Sequence, residues 1–389
     1  IQFSYRQSVP IRHLRLANIP ERDVQVSLEM SFDGQEFLPV RDFGKTRILR
    51  DEWEIDTAFT PVAARHFRLK FNESTSIGEI ELSQLARIDN TSGQSALGYV
   101  SGNELPSLSD VHTDAVVDPE SVVDLTANLS TDGSLRATLP KGRWTVLRLG
   151  YTSTGAHNVM PSPEGNGLEL DKFRAEAFQA HYDAFVSPVI ERAREVAPDS
   201  LSGVMIDSYE VGGQNWTAGY ERKFEQATGI DLIPWLPLYA GRFVADKSRT
   251  EAMFERIRKF SARLINENYY GKFAELMDGE GLESLIQPYG NGPFDEIAVG
   301  SVASVPAGEF WVRRDDLSNL NGAVSAARIY GKPIVAAEAF TATWDDNWNF
   351  SPEFGKKWGD RAWVAGVNQF FFHRFLIVKH PNFNLPYSL

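Results

Sequence analysis

The chain has 389 residues, with 39 Lys and Arg against 52 Asp and Glu, a formal charge of −13 and 42% apolar residues, enough to bury at least one large core. This balance excludes a disordered tail and argues against a nucleic-acid binder, which needs a basic face to release counterions from phosphates. Lack of cysteine removes disulfides, thiolate metal sites and thiol nucleophiles together, and no apolar run nears the roughly 20 residues of a membrane span.

Near the start, Val24, Val26, Leu28, Met30 and Phe32 alternate with Gln25, Ser27, Glu29 and Ser31, the period of a half-buried strand. Asp33-Gly34 then turns it. Phe67, Leu69 and Phe71 alternate with Arg68 and Lys70, and Ile80 and Leu82 with Glu79 and Glu81, so residues 1–92 predict an antiparallel β-sandwich. Residues 93–140 shift to Ser, Gly, Asp, Asn and Pro, as in a connector that carries short strands.

From 141 to 389 short apolar runs alternate with amphipathic helices, the pattern of a parallel sheet covered by helices. The runs are Arg143 to Tyr151, Gly203 to Ile206, Ser284 to Ile286, Pro333 to Ala337 and Val367 to Phe372, with a further short strand before Glu309. Ser248 with Glu251 predicts a capping box, Ser351-Pro352 a second helix start, and Gly331 and Gly366 two helix ends. No G-x-G-x-x-G follows any run, so the fold class is α/β plus all-β, a (β/α)8 TIM-type barrel with a β-sandwich beside it. Five or six strands cannot close eight. The first barrel strands are therefore expected before Ile1 or on another segment, with this chain an internal piece of a longer polypeptide.

Barrel enzymes place catalytic groups just past the C-terminal ends of strands, and here those positions are rich in carboxylates. Gly203 to Ile206 leads to Asp207-Ser208-Tyr209-Glu210, Pro333 to Ala337 leads to Glu338, Val305 to Gly308 leads to Glu309-Phe310-Trp311, and Phe370 to Phe372 leads to His373. Two carboxylates facing one cavity from different strands suit glycoside hydrolysis: one protonates the leaving oxygen while the other activates water or attacks the anomeric carbon. Aromatic residues around Tyr209 and Trp216 would keep Glu210 protonated by desolvation. His373 serves equally to bond a sugar hydroxyl or to anchor the sheet end. The markers of serine hydrolases, zincins and P-loop proteins are missing. Oxygen-rich loops such as Asp315-Asp316 and Asp345-Asp346 would favour a hard cation, although solvated loop charge explains them as well.

Gly142-Arg143-Trp144, Leu147 to Thr152, Gly165-Asn166-Gly167-Leu168-Glu169, Asp207 to Gly212 with Gln214-Asn215-Trp216, Gly308 to Trp311, Ile334 to Phe340 and Phe372-His373-Arg374 together resemble the α-L-rhamnosidases of glycoside hydrolase family 106. The resemblance implies a (β/α)8 barrel with accessory β-sandwiches, calcium-assisted binding of rhamnose and hydrolysis with inversion. It implies Glu210 as general acid, Glu338 as general base and Glu309 as a further pocket acid and calcium (Ca2+) ligand. Inversion needs the two catalytic carboxyl groups roughly 6.5–9.5 Å apart. Ser31 to Gly34 and Arg65 to Leu69 are similar to an inserted galactose-binding-like module, which accounts for the missing barrel strands.

Rhamnose carries one methyl and three hydroxyls, so its site should pair aromatic surface with polar groups. Trp216, Tyr289, Trp311 and Phe340 are the expected surface, and Asp207, Asn215 and His373 the expected hydroxyl contacts. A rhamnose-containing glycoside is then the partner, together with the remaining segments of the parent polypeptide, and a periplasmic or secreted location is the expectation. The rival reading is a non-catalytic carbohydrate-binding protein on the same fold.

Overall fold

A computed structural model of the chain describes residues 1–19, 23–49, 52–97, 108, 115–158, 165–290, 292–343 and 349–373. Contacts divide the chain into two units, Ile1–Glu169 with Val211–Ser261, and Leu170–Glu210 with Ala262–Leu389.

The first unit is built on six antiparallel strands, β1 (Gln2–Ile19), β2 (Val26–Ser31), β3 (Leu38–Phe43), β4 (Thr46–Leu49), β5 (Glu52–Phe71) and β6 (Glu79–Ser83). They pair in the order β3-β2-β5-β1-β6, with β4 also on β5. The all-β expectation for this region holds, but hydrogen bonds join all six strands into one sheet, where a sandwich has two. β1 and β5 are long enough to serve both ends of it, and their pairing slips at three places, between Ser4 and Val9, Ile11 and His13, and Leu16 and Ile19, where bulges let a long pair change direction. Leu14, Leu16, Ile19, Leu28, Ile55 and Phe67 form its core. The predicted alternation in β2 runs to Met30 and then breaks, because Ser31 is buried and Phe32 exposed. Ser31 Oγ bonds Asp33 and the Gly34 N–H, and Asp33 accepts from the Gln35 and Glu36 N–H groups, so the turn takes the position the core would have given to Phe32.

Residues 143–151 are not a strand and lie exposed. Apolar alternation alone does not make a strand, since its N–H and C=O groups need a paired neighbour. The helix Lys247–Ile265 starts two residues earlier than predicted. Asp246 Oδ1 caps it by accepting from the Arg249 N–H at 2.7 Å, in place of a Ser248 box.

The second unit carries five parallel strands, β7 (Gly203–Ile206), β8 (Glu283–Ile286), β9 (Val305–Trp311), β10 (Ala336–Thr341) and β11 (Gln369–Phe372), adjacent in chain order. Parallel neighbours need crossover helices, and Glu296–Val302, Ser318–Tyr330 and Pro352–Ala365 supply three of them. Ser351 caps the last, its Oγ accepting from the Phe354 N–H, with Pro352 at the first turn, and Gly366 ends it at φ 120°, as predicted. Phe310, Val312, Leu320, Val335, Phe340, Trp358 and Val367 pack between helices and sheet. The five strands described are an open parallel sheet, in keeping with the β/α pattern. No helix among the described residues is long and apolar enough to cross a membrane.

Two strand starts differ from the sequence reading. β10 begins at Ala336 and β11 at Gln369 because the Asn368 side chain stands in for a strand partner just before them. It accepts from the Val335 N–H at 2.8 Å and donates to the Pro333 carbonyl at 2.8 Å.

Candidate active site

The residues that gather around the strand-borne carboxylates all lie in the second unit. Shifting β10 by three residues puts Glu338 inside the strand instead of beyond it, and Glu309 likewise lies within β9. Glu338 is in register with Glu309 on one side and Phe371 on the other, so the two carboxylates leave the same face of neighbouring strands about 4.8 Å apart. Beyond Glu338 the register with β9 slips before Thr341. Phe340, at this bulge, takes a left-handed φ of 64°, which costs a non-glycine residue about 1–3 kcal/mol. It is held there by ring contacts with Phe310, Phe350, Phe370 and Phe372.

Glu338 is held by its neighbours on three sides. Gln287 Nε2 donates to its Oε2 at 3.0 Å, Thr341 Oγ1 reaches its Oε1 at 3.4 Å, and His373 Nδ1 lies 3.6 Å from the same oxygen. Gln287 in turn accepts from the Tyr289 hydroxyl at 2.9 Å. Burial first, and then the charges of Asp207 and Glu309, push the Glu338 carboxyl up to about 7, against the pull of the Gln287 and Thr341 hydrogen bonds. Burial and the charges of Glu309 and Glu338 also raise the Tyr289 phenol, which stays protonated and acts as a donor.

Glu309 Oε1 accepts from Trp311 Nε1 and Asn319 Nδ2, each at 2.9 Å. Arg314 lies over the Trp311 ring at 3.9 Å, a cation–π contact that fixes the indole. Among the described residues no three carboxylate or imidazole side chains come together as cation ligands. Both N–H donors on Glu309 fall on its Oε1. Asp345 and Asp346 lie outside the described residues.

The loop after β7 carries Asp207, Tyr209 and Glu210. Tyr209 is bridged to Gly290 beyond β8, and its N–H donates to the Tyr289 carbonyl at 3.1 Å. Its buried ring meets Phe294 edge-on, with Lys172 over it at 5.4 Å. Glu210 is exposed, and Ser208 Oγ donates to its Oε1 at 3.2 Å. Glu210 thus lacks the enclosure expected of it, which Glu338 has. Asn215 and Trp216 belong to the first unit, where Asn215 Nδ2 donates to Ser95 Oγ at 3.2 Å and the Trp216 ring packs on Tyr220 and Tyr239.

A family model described as alpha-L-rhamnosidase, Glyco_hydro_106, matches residues 12–386. The chain belongs to glycoside hydrolase family 106. The solved structure of a rhamnosidase from Novosphingobium sp. PP1Y superposes with a TM-score of 0.77 at 26% identity, covering 96% of this chain and 36% of that one. A Formosa agariphila protein named "Putative beta-glucuronidase" is 35% identical over 294 residues, 75% of this chain and 25% of its own length. This family 106 chain therefore spans about a quarter to a third of the proteins it matches.

Sequence reasoning missed Gln287, Thr341 and Asn319. Gln287 directly follows β8, so the rule that singled out Glu338 would have found it had amides been considered with acids. Thr341 is brought back to Glu338 by the bulge at Phe340, which no periodicity reveals.

Proposed function

We propose that the protein is a glycosidase that releases terminal α-L-rhamnose with inversion, Glu210 acting as general acid and Glu338 as general base. Family membership and the likeness to a solved rhamnosidase support the reaction class. One observation carries the residue assignment: Glu338 is an enclosed carboxylate near neutrality, oriented by Gln287, Thr341 and His373. A base gains strength as its pKa rises, so a carboxylate at about 7 is better able to take a proton from water than an ordinary one, while about half of it is ionised at neutral pH. Glu210, in a loop open to solvent, can meet the leaving oxygen of a glycoside of varied aglycone. The carboxylates Asp207, Glu309 and Glu338 favour a neutral 6-deoxy sugar over an anionic glucuronide, which would need a cation facing its carboxylate.

The test uses the full-length protein with an aryl rhamnoside, an aryl glucuronide and a rhamnose disaccharide. Rhamnose should appear first as the β-anomer by NMR. Glu338→Gln should lower kcat at least 10³-fold on both rhamnosides. Glu210→Gln should do so mainly on the disaccharide, because an activated aryl oxygen departs without protonation. Binding of rhamnose without turnover, or turnover of the glucuronide alone, would overturn the reading.

A further inference from the structure

Of the residues around Glu338, Gln287 is fully buried and has the least freedom. Its backbone N–H donates to the Ile206 carbonyl at 3.0 Å, continuing the β7–β8 ladder. Its side-chain carbonyl accepts from Tyr289, and its amide nitrogen faces Glu338 Oε2 at 3.0 Å with the Gly308 carbonyl at 3.5 Å. An amide rotated by half a turn would set its carbonyl against a carboxylate, so the Glu338 carboxylate selects the donating orientation and the Tyr289 hydroxyl bonds the other end of the amide. We infer that Gln287, buried and bonded at its other end by Tyr289, is a positioning residue that holds the Glu338 carboxylate in the orientation from which it activates water. The inference rests on the assignment of Glu338 as base and adds to it the pair that sets its geometry.

The groups facing Glu338 are Asp207 from the end of β7, Tyr289 and Gln287 from beyond β8, Glu309 from β9 and His373 from the end of β11. Two of these are carboxylates, and they oppose ionisation of a third in an enclosed space. Gln287 is the neutral donor on the other side of that balance. A hydrogen bond to a charged group is stronger than one between neutral groups, so removing this one should both free the carboxylate to rotate and make it harder to ionise.

The experiment compares Gln287→Met, which keeps length and volume but cannot donate, with Tyr289→Phe, which removes only the hydroxyl. Both are made in the full-length protein and measured on an aryl rhamnoside. Activity that needs ionised Glu338 falls as pH drops through its pKa, giving an acid limb of kcat/KM near 7. In Gln287→Met that limb should move up by about one pH unit, which is the loss of one charge-assisted hydrogen bond, and kcat should fall 10- to 100-fold with KM changed less than 3-fold. Tyr289→Phe should move the limb in the same direction by a smaller amount. A Gln287→Met enzyme with an unmoved limb, or with a loss confined to KM, overturns the inference. If that variant lacks the wild-type melting transition, Tyr289→Phe decides, and an unmoved limb there overturns it as well. Glu338→Gln is run alongside: an active variant would sink the base assignment and this inference with it. An inactive one with an unmoved limb in Gln287→Met and Tyr289→Phe would sink the inference alone.

Discussion

Glu338 is an acid whose folded-state pKa, about 7, stands above the ordinary value of 4.5, and the direction of that shift has a consequence for stability. The unfolded chain ionises this group readily and the folded chain does so reluctantly, so the folded state loses stability as pH rises from about 4.5 to 7. With each unit worth 1.36 kcal/mol, the loss at pH 8 is on the order of 3 kcal/mol. Glu338→Gln cannot ionise, so the variant should melt a few degrees above the wild type at pH 8 and no higher at pH 4.5, while losing activity. Thermal melts across that range would check it, and a difference that did not grow with pH would show that the carboxyl is not desolvated. The mirror case is Asp56 in the first unit. Its burial opposes ionisation, but the His13 ring at 2.8 Å and the Thr91 N–H at 2.7 Å outweigh that and lower its pKa. Its contribution is present above the unfolded value near 3.9 and is lost as pH falls through the lower folded one. Asp56→Asn should therefore destabilise the protein at pH 7 and make less difference in acid, as melts at the two pH values would show.

Strands and loops determine whether such residues meet, and Gly290 is where two loops touch. A Cβ there would lie 2.1 Å from the Tyr209 carbonyl oxygen, and φ is 132°, so only glycine lets the loops after β7 and β8 join. Gly281 is the natural control, at φ 69° with nothing within 4 Å of its would-be Cβ. Gly281→Ala should cost about 1 kcal/mol from backbone strain alone. Gly290→Ala should cost more, on the order of 3 kcal/mol, and should also lower kcat, because the displaced segment carries Tyr209 and Glu210. Equal melting temperatures and equal kcat for the two variants would count against the loop junction. This contact lies beyond a sequence reading, since it joins residues 81 positions apart through backbone atoms. The elements themselves are largely legible in the sequence. Short apolar runs locate β7, β8, β10 and β11 within a few residues, and the run before Glu309 points to the strand that contains it. Their limits are less so, because strand starts here depend on Asn368 substituting for a backbone partner, and strand ends on a bulge at Phe340. The same gap explains why Glu338 looks in sequence like a residue past a strand end when it is one of the strand's own. Residues 143–151 show the converse, a strand-like pattern that is not paired.

At the scale of the whole chain, apolar surface is the feature that composition could not anticipate. In the first unit Trp144, Val146 and Tyr151 are exposed, and in the second Phe185, Val189, Val364 and Phe372, the last on an outer strand of the parallel sheet. Single exposed apolar residues are ordinary, but grouped ones mark surfaces that another segment or molecule covers. The chain spans 36% of the solved rhamnosidase and 25% of its Formosa agariphila relative, so longer proteins of the family contain further polypeptide able to lie on such faces. The 389 residues should therefore bind an environment-sensitive apolar dye more strongly per mole than a longer relative such as the Novosphingobium rhamnosidase does. Repulsion from a net charge of −13 would keep the chains apart at pH 7 to 8. Near the sequence pI of about 5.1 that repulsion vanishes, and light scattering should rise most steeply there, less so in the longer protein at equal concentration. Equal dye binding by the two would mean that the exposed side chains close over one another in solution and need no further segment to cover them.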